Sequence, residues 1–515
     1  MSPRSRTAAG LVALALTVAA CSSDDGGDGS DASASETEDA SGAGSSDTDE
    51  ASDTDGSGDE SPESGDSDGE GASEEPERVR YVFPDPPESP PADEAGSTEA
   101  DEFIDTALLG VRTGGFNIGS IRELARTGDA RHAWFLSDLL RFFQRGEDAD
   151  ELVAAFETLT DGVSLADDPT SADSVWLSST NHLIAWDTPA YPGYQEDKAE
   201  LFLLLEPEWE PFFTDSDAAI DWRHLSWGGV FIDDRELGDP NPCPGGCIPS
   251  LDDPATTDAD GGSWYPEERT VFGIEVNGEA LAIPLNIAEV HEMFNLTLGG
   301  RRLGIPYCTL CGAAEAYFTD TVDGDPPEGA DEVPVLRTSG LLSRSNKVMY
   351  DLRTFSVFDT FTGEAVSGPL QDAGVVLEET TVVRSTWAEW KADHPDTRII
   401  APNGGIGRTY LFDPLGGRDD DGPIFPIGDA DARLDVQEFV VGVITDDGQP
   451  IAFPSDLASE TIADGGEVET SGVRLESSGG GLVAVDADTG DALPAHEAFW
   501  FAWSQFHPDT ELWTP

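Results

Sequence analysis

Apolar residues along this chain keep two different rhythms, and the change of rhythm divides it. From Phe103 to about Asp161 they recur at helical spacing. Ile118, Ile121, Leu124 and Ala125 mark one face, Thr127-Gly128-Asp129 interrupts it, and Ala133, Phe135, Leu136, Leu139, Leu140 and Phe143 take it up again. A third run, Leu152, Val153, Phe156 and Leu159, follows Gly146-Glu147-Asp148, where acidic side chains suit the positive end of a helix dipole. The aromatic-rich stretch from Trp176 to Trp227 is expected to continue this core. From Val271 onward the alternation is every second residue. Residues 271–285, VFGIEVNGEALAIPL, read as two strands about an Asn-Gly turn, and 355–370, FSVFDTFTGEAVSGPL, as two strands about Thr-Gly. Thr386 to His394, TWAEWKADH, reads as a short helix that Pro395 ends.

The β-rich part echoes itself. Trp387-x-x-Trp390-x-x-x-His394-Pro-Asp-Thr397 matches Trp500-x-x-Trp503-x-x-x-His507-Pro-Asp-Thr510 without a gap. Val271, Gly273, Gly278, Ala282 and Pro284 match Val440, Gly442, Gly448, Ala452 and Pro454, and Asp359-x-x-Thr362-Gly363 matches Asp486-x-x-Thr489-Gly490. Three echoes in the same order predict a duplication, roughly 265–400 and 436–515. The expected fold class is α+β: an N-terminal helical, HEAT-like region over 103–220, then a β-rich duplicated domain. Its first copy is placed at 221–400 and a degenerate second copy at 401–515.

The first twenty residues carry Arg4, Arg6 and an apolar run from Ala8 to Ala20, too short to remain as a membrane span and typical of an export signal. Val18-Ala19-Ala20-Cys21 resembles a bacterial lipobox, which implies cleavage before Cys21 and lipidation of its thiol. The protein is therefore expected to be exported and anchored through Cys21 to the outer face of the cell membrane. Residues 21–102 predict a disordered acidic tether: from Ser22 to Glu102 there are 28 acidic side chains against Arg78 and Arg80. Without that stretch and the two signal arginines, 75 acidic side chains still face 23 basic ones, a net charge of −52. Such a surface suits saline surroundings and argues against nucleic acid as a partner, because phosphate binding needs the opposite sign.

Candidate chemistry lies with the cysteines. Tyr307-Cys308-x-x-Cys311-Gly312 describes a backbone knuckle that aims two sulfurs at one point. With His291 as a third ligand it would suit a thiolate-preferring metal such as zinc, copper or iron, and Cys243 and Cys247 could complete the set. A Cys-x-x-Cys pair also suits thiol–disulfide exchange, although strand-like sequence follows where thioredoxins have a helix. In an exported protein Cys243 and Cys247, in a proline-glycine loop, are expected to be disulfide-bonded, with a metal pair as the alternative. Ser339, Ser345, Asn346, Tyr350 and Asp351 form a candidate polar pocket or else turn and strand-edge positions. No Gly-x-Ser-x-Gly elbow, phosphate loop or dinucleotide fingerprint is present. A non-catalytic binding or scaffold module with structural disulfides is the remaining alternative.

From about 220 to 515 the chain resembles a prokaryotic family known as domain of unknown function 3179. The resemblance rests on Asn277-Gly278-Glu279-Ala280 with Ile283-Pro284-Leu285, on His291-Glu292 and on Tyr307-Cys308-x-x-Cys311-Gly312. It continues through Ser339-Gly340-Leu341-Leu342, Ser345-Asn346, Val348-Met349-Tyr350-Asp351, Gly368-Pro369-Leu370 and Trp387-x-x-Trp390 with His394-Pro395. The family commonly has proline after its first cysteine, where Thr309 stands here. It implies kinship and no particular activity.

Overall fold

Among the described residues six α-helices of eight residues or more precede the first strand: Thr98–Arg112, Ile118–Ala125, Ala133–Phe142, Glu147–Leu159, Val175–Ala185 and Tyr194–Leu205. Ser97, Asn117 and Ser174 cap three of them by accepting from backbone N–H groups that have no partner within the helix. The faces buried are those expected, including Ile121 and Leu124, Phe135, Leu136, Leu139 and Leu140, and Leu152, Phe156 and Leu159. The computed structural model describes residues 81–515 apart from 173, 244, 323–332, 419–421 and 446. The signal segment, Cys21 and the acidic tether as far as residue 80 lie outside the described residues. The tether's expected end at residue 102 is corrected. Buried Arg131 donates to the carbonyls of Pro91 at 2.7 Å and Glu94 at 2.8 Å, Trp186 donates to Pro84 at 2.7 Å, and a helix already begins at Thr98.

The expected α+β class, with a HEAT-like stack leading into a duplicated β-rich domain, is also corrected. Among the described residues the C-terminal region carries five separate sheets in a propeller-like arrangement behind a helical N-terminal region. Hydrophobic periodicity reports which face of an element is buried and not which element covers it. The helices do not close on a neighbouring repeat. Their core runs on into Leu225, Trp227, Leu341, Val348 and Tyr350 of the first sheet, and Trp209 donates its indole N–H to the Ser339 carbonyl at 2.8 Å. That sheet orders Leu225–Trp227, Leu336–Ser343, Asn346–Asp351 and Val357–Phe358.

The sequence echoes correspond to local geometry shared by two of the five sheets. One places Val383–Thr386, Thr270–Val276, Glu279–Pro284 and Arg398–Ile400 side by side, with Thr256–Asp258 added antiparallel at its edge, the other Ala495–Phe499, Phe439–Ile444, Pro450–Pro454 and Glu511–Leu512; in both the fourth strand runs parallel to the third. A Cβ on Gly273 would lie 2.3 Å from the Trp390 ring, and one on Gly442 would lie 2.1 Å from Trp503. Trp390 donates to Thr397 Oγ1 and Trp503 to Thr510 Oγ1, both at 2.9 Å. Each Trp-x-x-Trp helix thus seats its second indole on a glycine strand and ties it to the threonine seven residues on.

The three remaining sheets are the helix-facing one, a meander over Val468–Leu493, and the one that carries the thiols. The last orders Leu377–Thr380, Ala316–Val322, Arg301–Cys308, Met293–Leu298 and Leu251–Asp252. Among the described residues no helix is long and apolar enough to cross a membrane.

Candidate thiol site

The strand Arg301–Cys308 ends in a single helical turn, Thr309–Cys311, and the chain then doubles back so that Cys308 pairs with Ala313 and Tyr307 with Ala314. Gly312 makes the reversal at φ +63, and a Cβ there would stand 2.8 Å from the Phe439 ring and 3.1 Å from Phe499. Backbone conformation and close approach both demand glycine. The knuckle expected from the spacing is present. It holds the two sulfurs 2.9 Å apart, with Cys308 2% and Cys311 0% exposed, both as free thiols.

Facing the sulfurs is the tight turn between Leu336–Ser343 and Asn346–Asp351. The Ser345 carbonyl lies 3.6 Å from Cys308 Sγ and 3.4 Å from Cys311 Sγ, and Asn346 Oδ1 lies 3.6 Å from Cys311 Sγ. These oxygens accept from S–H groups, so the surroundings favour protonated thiols. Burial pushes the Cys311 thiol well above its ordinary range, and the neighbouring Cys308 adds to the effect. Beneath the knuckle Thr309 donates to Glu292 Oε1 at 3.1 Å, and Lys347 Nζ lies 3.2 Å from Glu292 Oε2 and donates to the Tyr307 carbonyl at 2.8 Å. Glu292 sits at φ +50, unusual for a residue with a Cβ, and this turns the chain from the helix Leu285–His291 into the strand that follows.

That turn sends His291 elsewhere, and its expected place beside Cys308 and Cys311 is corrected. His291 Nδ1 donates to the Pro249 carbonyl at 2.6 Å and Nε2 accepts from the Tyr410 hydroxyl at 2.7 Å, so both ring nitrogens are occupied. Burial lowers this imidazole to about 4, which keeps it neutral. The polar pocket divides in the same way. Ser345 and Asn346 reach the thiols. Ser339 Oγ donates to the Val348 carbonyl at 2.6 Å, Tyr350 donates to the Asp233 carbonyl at 2.7 Å, and Asp351 accepts from the N–H groups of Val335 and Thr354 at 2.9 Å. These three hold turns and strand ends.

Cys243 and Cys247 form the expected disulfide, apart from the first pair. Asp233, Cys243 and Cys247 place one ligand atom each within 4.8 Å of one another, a group that could hold a metal ion. Asp233 is also the acceptor for Arg235 Nε at 2.6 Å and for the Ser250 N–H at 2.8 Å, with Arg337 Nε 3.8 Å away.

Three further buried or half-buried residues, Glu315, His496 and Glu379, escaped the sequence reading. Glu315 is fully buried and neither carboxyl oxygen has a hydrogen-bond partner. His496 Nε2 stands 4.0 Å from Glu315 Oε1, and its Nδ1 donates to Glu379 Oε1 at 2.7 Å. Burial raises the Glu315 carboxyl to about 8. Burial lowers the His496 imidazole, but the Glu379 and Glu315 carboxyls outweigh this and the net shift is upward. The available signal was one acid inside the apolar run Ala313-Ala-Glu315-Ala-Tyr-Phe318; its partner lies far along the chain.

No curated protein and no solved structure matches this chain. Residues 245–490, which include the knuckle, the Ser345–Asn346 turn and Glu315, match the family described as protein of unknown function (DUF3179), and this region of the chain belongs to that family.

Proposed function

We propose that the chain is an exported, lipid-tethered protein whose working group is the Cys308–Cys311 pair, cycling between dithiol and disulfide. The observation that carries this reading is the 2.9 Å separation of two free sulfurs on one knuckle. A disulfide needs about 2.0 Å, so closure asks only a small movement of the side chains. Among the described residues no third thiol, imidazole or carboxylate joins these two sulfurs within 4.8 Å, so a metal would find half a ligand set. The export signal and lipobox support an oxidising compartment, where such a couple is useful.

A second reading has its own observation, the convergence of Asp233, Cys243 and Cys247. Reduced, these could hold a thiolate-preferring ion such as zinc, copper or iron. Arg235 and Arg337 crowd the same carboxylate and oppose a cation there, which ranks this reading second.

Thiol counting by alkylation and mass, paired with metal analysis of protein purified without chelator, tests both. The redox reading expects a metal-free Cys308–Cys311 pair that alkylates after mild reduction and not after oxidation. Stoichiometric metal that disappears in Cys308→Ser overturns it. Metal that disappears in Cys243→Ser instead supports the second reading.

A further inference from the structure

Every buried arginine among the described residues is paired with a carboxylate: Arg131 with Asp129, Arg235 with Asp233 and Arg337 with Asp252. Half-buried Arg141 is not, in a chain that has 103 acidic side chains. We propose that Arg141, boxed by Trp176, Trp227 and Phe425, is the binding site for a small carboxylate with an aromatic or apolar body. The thiol reading above neither uses this site nor depends on it.

Four parts of the chain assemble the box. Arg141 stands in the last turn of Ala133–Phe142 and Trp176 in the first turn of Val175–Ala185. Trp227 ends the strand Leu225–Trp227, and Phe425 lies in the segment before Phe439–Ile444. The guanidinium carbon is 4.3 Å from the Trp176 ring centre, 5.2 Å from that of Trp227 and 5.5 Å from that of Phe425. Trp176 and Phe425 also meet edge to face at 5.8 Å. The rings hold the head group by cation–π attraction while stripping water from it. Its Nε donates to the Trp227 carbonyl at 2.8 Å, which fixes the plane of the fork. Nη2 lies against Gly229, at φ +92, where a Cβ would touch it at 3.5 Å.

The two terminal nitrogens carry four N–H donors with no hydrogen-bond partner among the described residues. Neither nitrogen is sealed from solvent, so a ligand can reach both. Burial pushes the guanidinium down to about 10, and no carboxylate stands near enough to offset this. The helix end and one carbonyl supply only fractions of a negative charge. A desolvated cation without a counter-charge is costly, and a bound anion removes that cost. A carboxylate fits because its two oxygens match the two terminal nitrogens of the fork. The three rings offer surface to the body of such a ligand. The acid excess of the chain disfavours a doubly charged phosphate more than a singly charged carboxylate.

The test uses sodium benzoate and the full chain. Equilibrium dialysis measures uptake, and melting curves compare benzoate with chloride and with phosphate at equal sodium. Wild type is expected to take up one benzoate per chain and to melt higher in benzoate than in chloride. Arg141→Met is expected to bind at least about tenfold more weakly, the worth of one charge-assisted hydrogen bond. Arg141→Lys keeps the charge without the fork and should fall short by a similar factor. Phe425→Leu, at the half-buried rim, keeps the guanidinium and supplies the comparison if the arginine variants misfold; it should weaken benzoate about threefold. No uptake by wild type, or wild-type uptake in Arg141→Met and Phe425→Leu, overturns the site. Phosphate that raises the melting temperature as much as benzoate does, and only with Arg141 present, overturns the choice of a carboxylate.

Discussion

Replacing Gly312 by alanine perturbs the knuckle at its tightest point, and a second glycine serves as its control. Gly312 has φ +63, and the added Cβ would meet the Phe439 ring at 2.8 Å. Gly278, in the Asn-Gly turn, has φ +81 with nothing within 4 Å of an added Cβ. Left-handed backbone costs a residue with a Cβ about 1–2 kcal/mol, which both variants share. Over-packing against the two phenylalanines adds roughly 1–3 kcal/mol at Gly312 alone. Gly312→Ala is therefore expected to lose about 2–5 kcal/mol and Gly278→Ala about 1–2 kcal/mol. Urea unfolding followed by fluorescence of the 12 tryptophans measures the two midpoints. Native-state alkylation of Cys308 and Cys311 should also speed up in Gly312→Ala alone. Equal midpoints, with thiols as protected as in wild type, would show that Phe439 and Phe499 do not clamp the knuckle.

Other expectations concern charge. Lys198 Nζ bonds Asp138 Oδ1 and the Tyr194 hydroxyl, each at 2.9 Å, in the helical core. Lys198→Met strands the Asp138 carboxyl and should destabilise by about 3–5 kcal/mol, most of it regained in a Lys198→Met, Asp138→Leu double variant; melting curves of the three decide. The folded-state rise of Glu315 from 4.5 to about 8 means that the folded chain holds a proton the unfolded chain has lost between those values. Its contribution to stability is whole below about pH 4.5 and fades as pH rises to about 8. Denaturation midpoints should show that decline in wild type, flattened in Glu315→Gln. His224, His291 and His507 act in the opposite sense. Burial lowers each from 6.5 to about 4, so their contribution is lost as pH falls through that window. The formal charge of −76 makes the chain repel itself, so its melting temperature should climb with sodium chloride until screening saturates. A flat response would mean that the acidic surface is already neutralised by bound cations.

Local features were readable from residues because local sequence decides them. Cys-x-x-Cys-Gly requires a turn with glycine at positive φ, and that turn is present. The echo of Trp390 by Trp503 predicted a duplicated domain, and what it corresponds to is narrower: two alike seats in which an indole lies on a strand glycine. The gathering of strands into five sheets was not readable, since alternation marks a buried face without naming its neighbour. His291 misled for a related reason. Histidine sixteen residues before a knuckle is close along the chain, but the φ of Glu292 turned its ring to Pro249 and Tyr410. Glu315 and His496 are 181 positions apart, and nothing short of the packed core brings them within 4.0 Å.

The most direct measurement is an equilibrium titration of native protein in reduced and oxidised glutathione, with peptide mass reporting the state of Cys308 and Cys311. The expected result is a single two-electron transition confined to that pair, with Cys243–Cys247 unchanged through it. Thiols that stay reduced across the whole series, or a bond that never opens in native protein, would contradict the assignment.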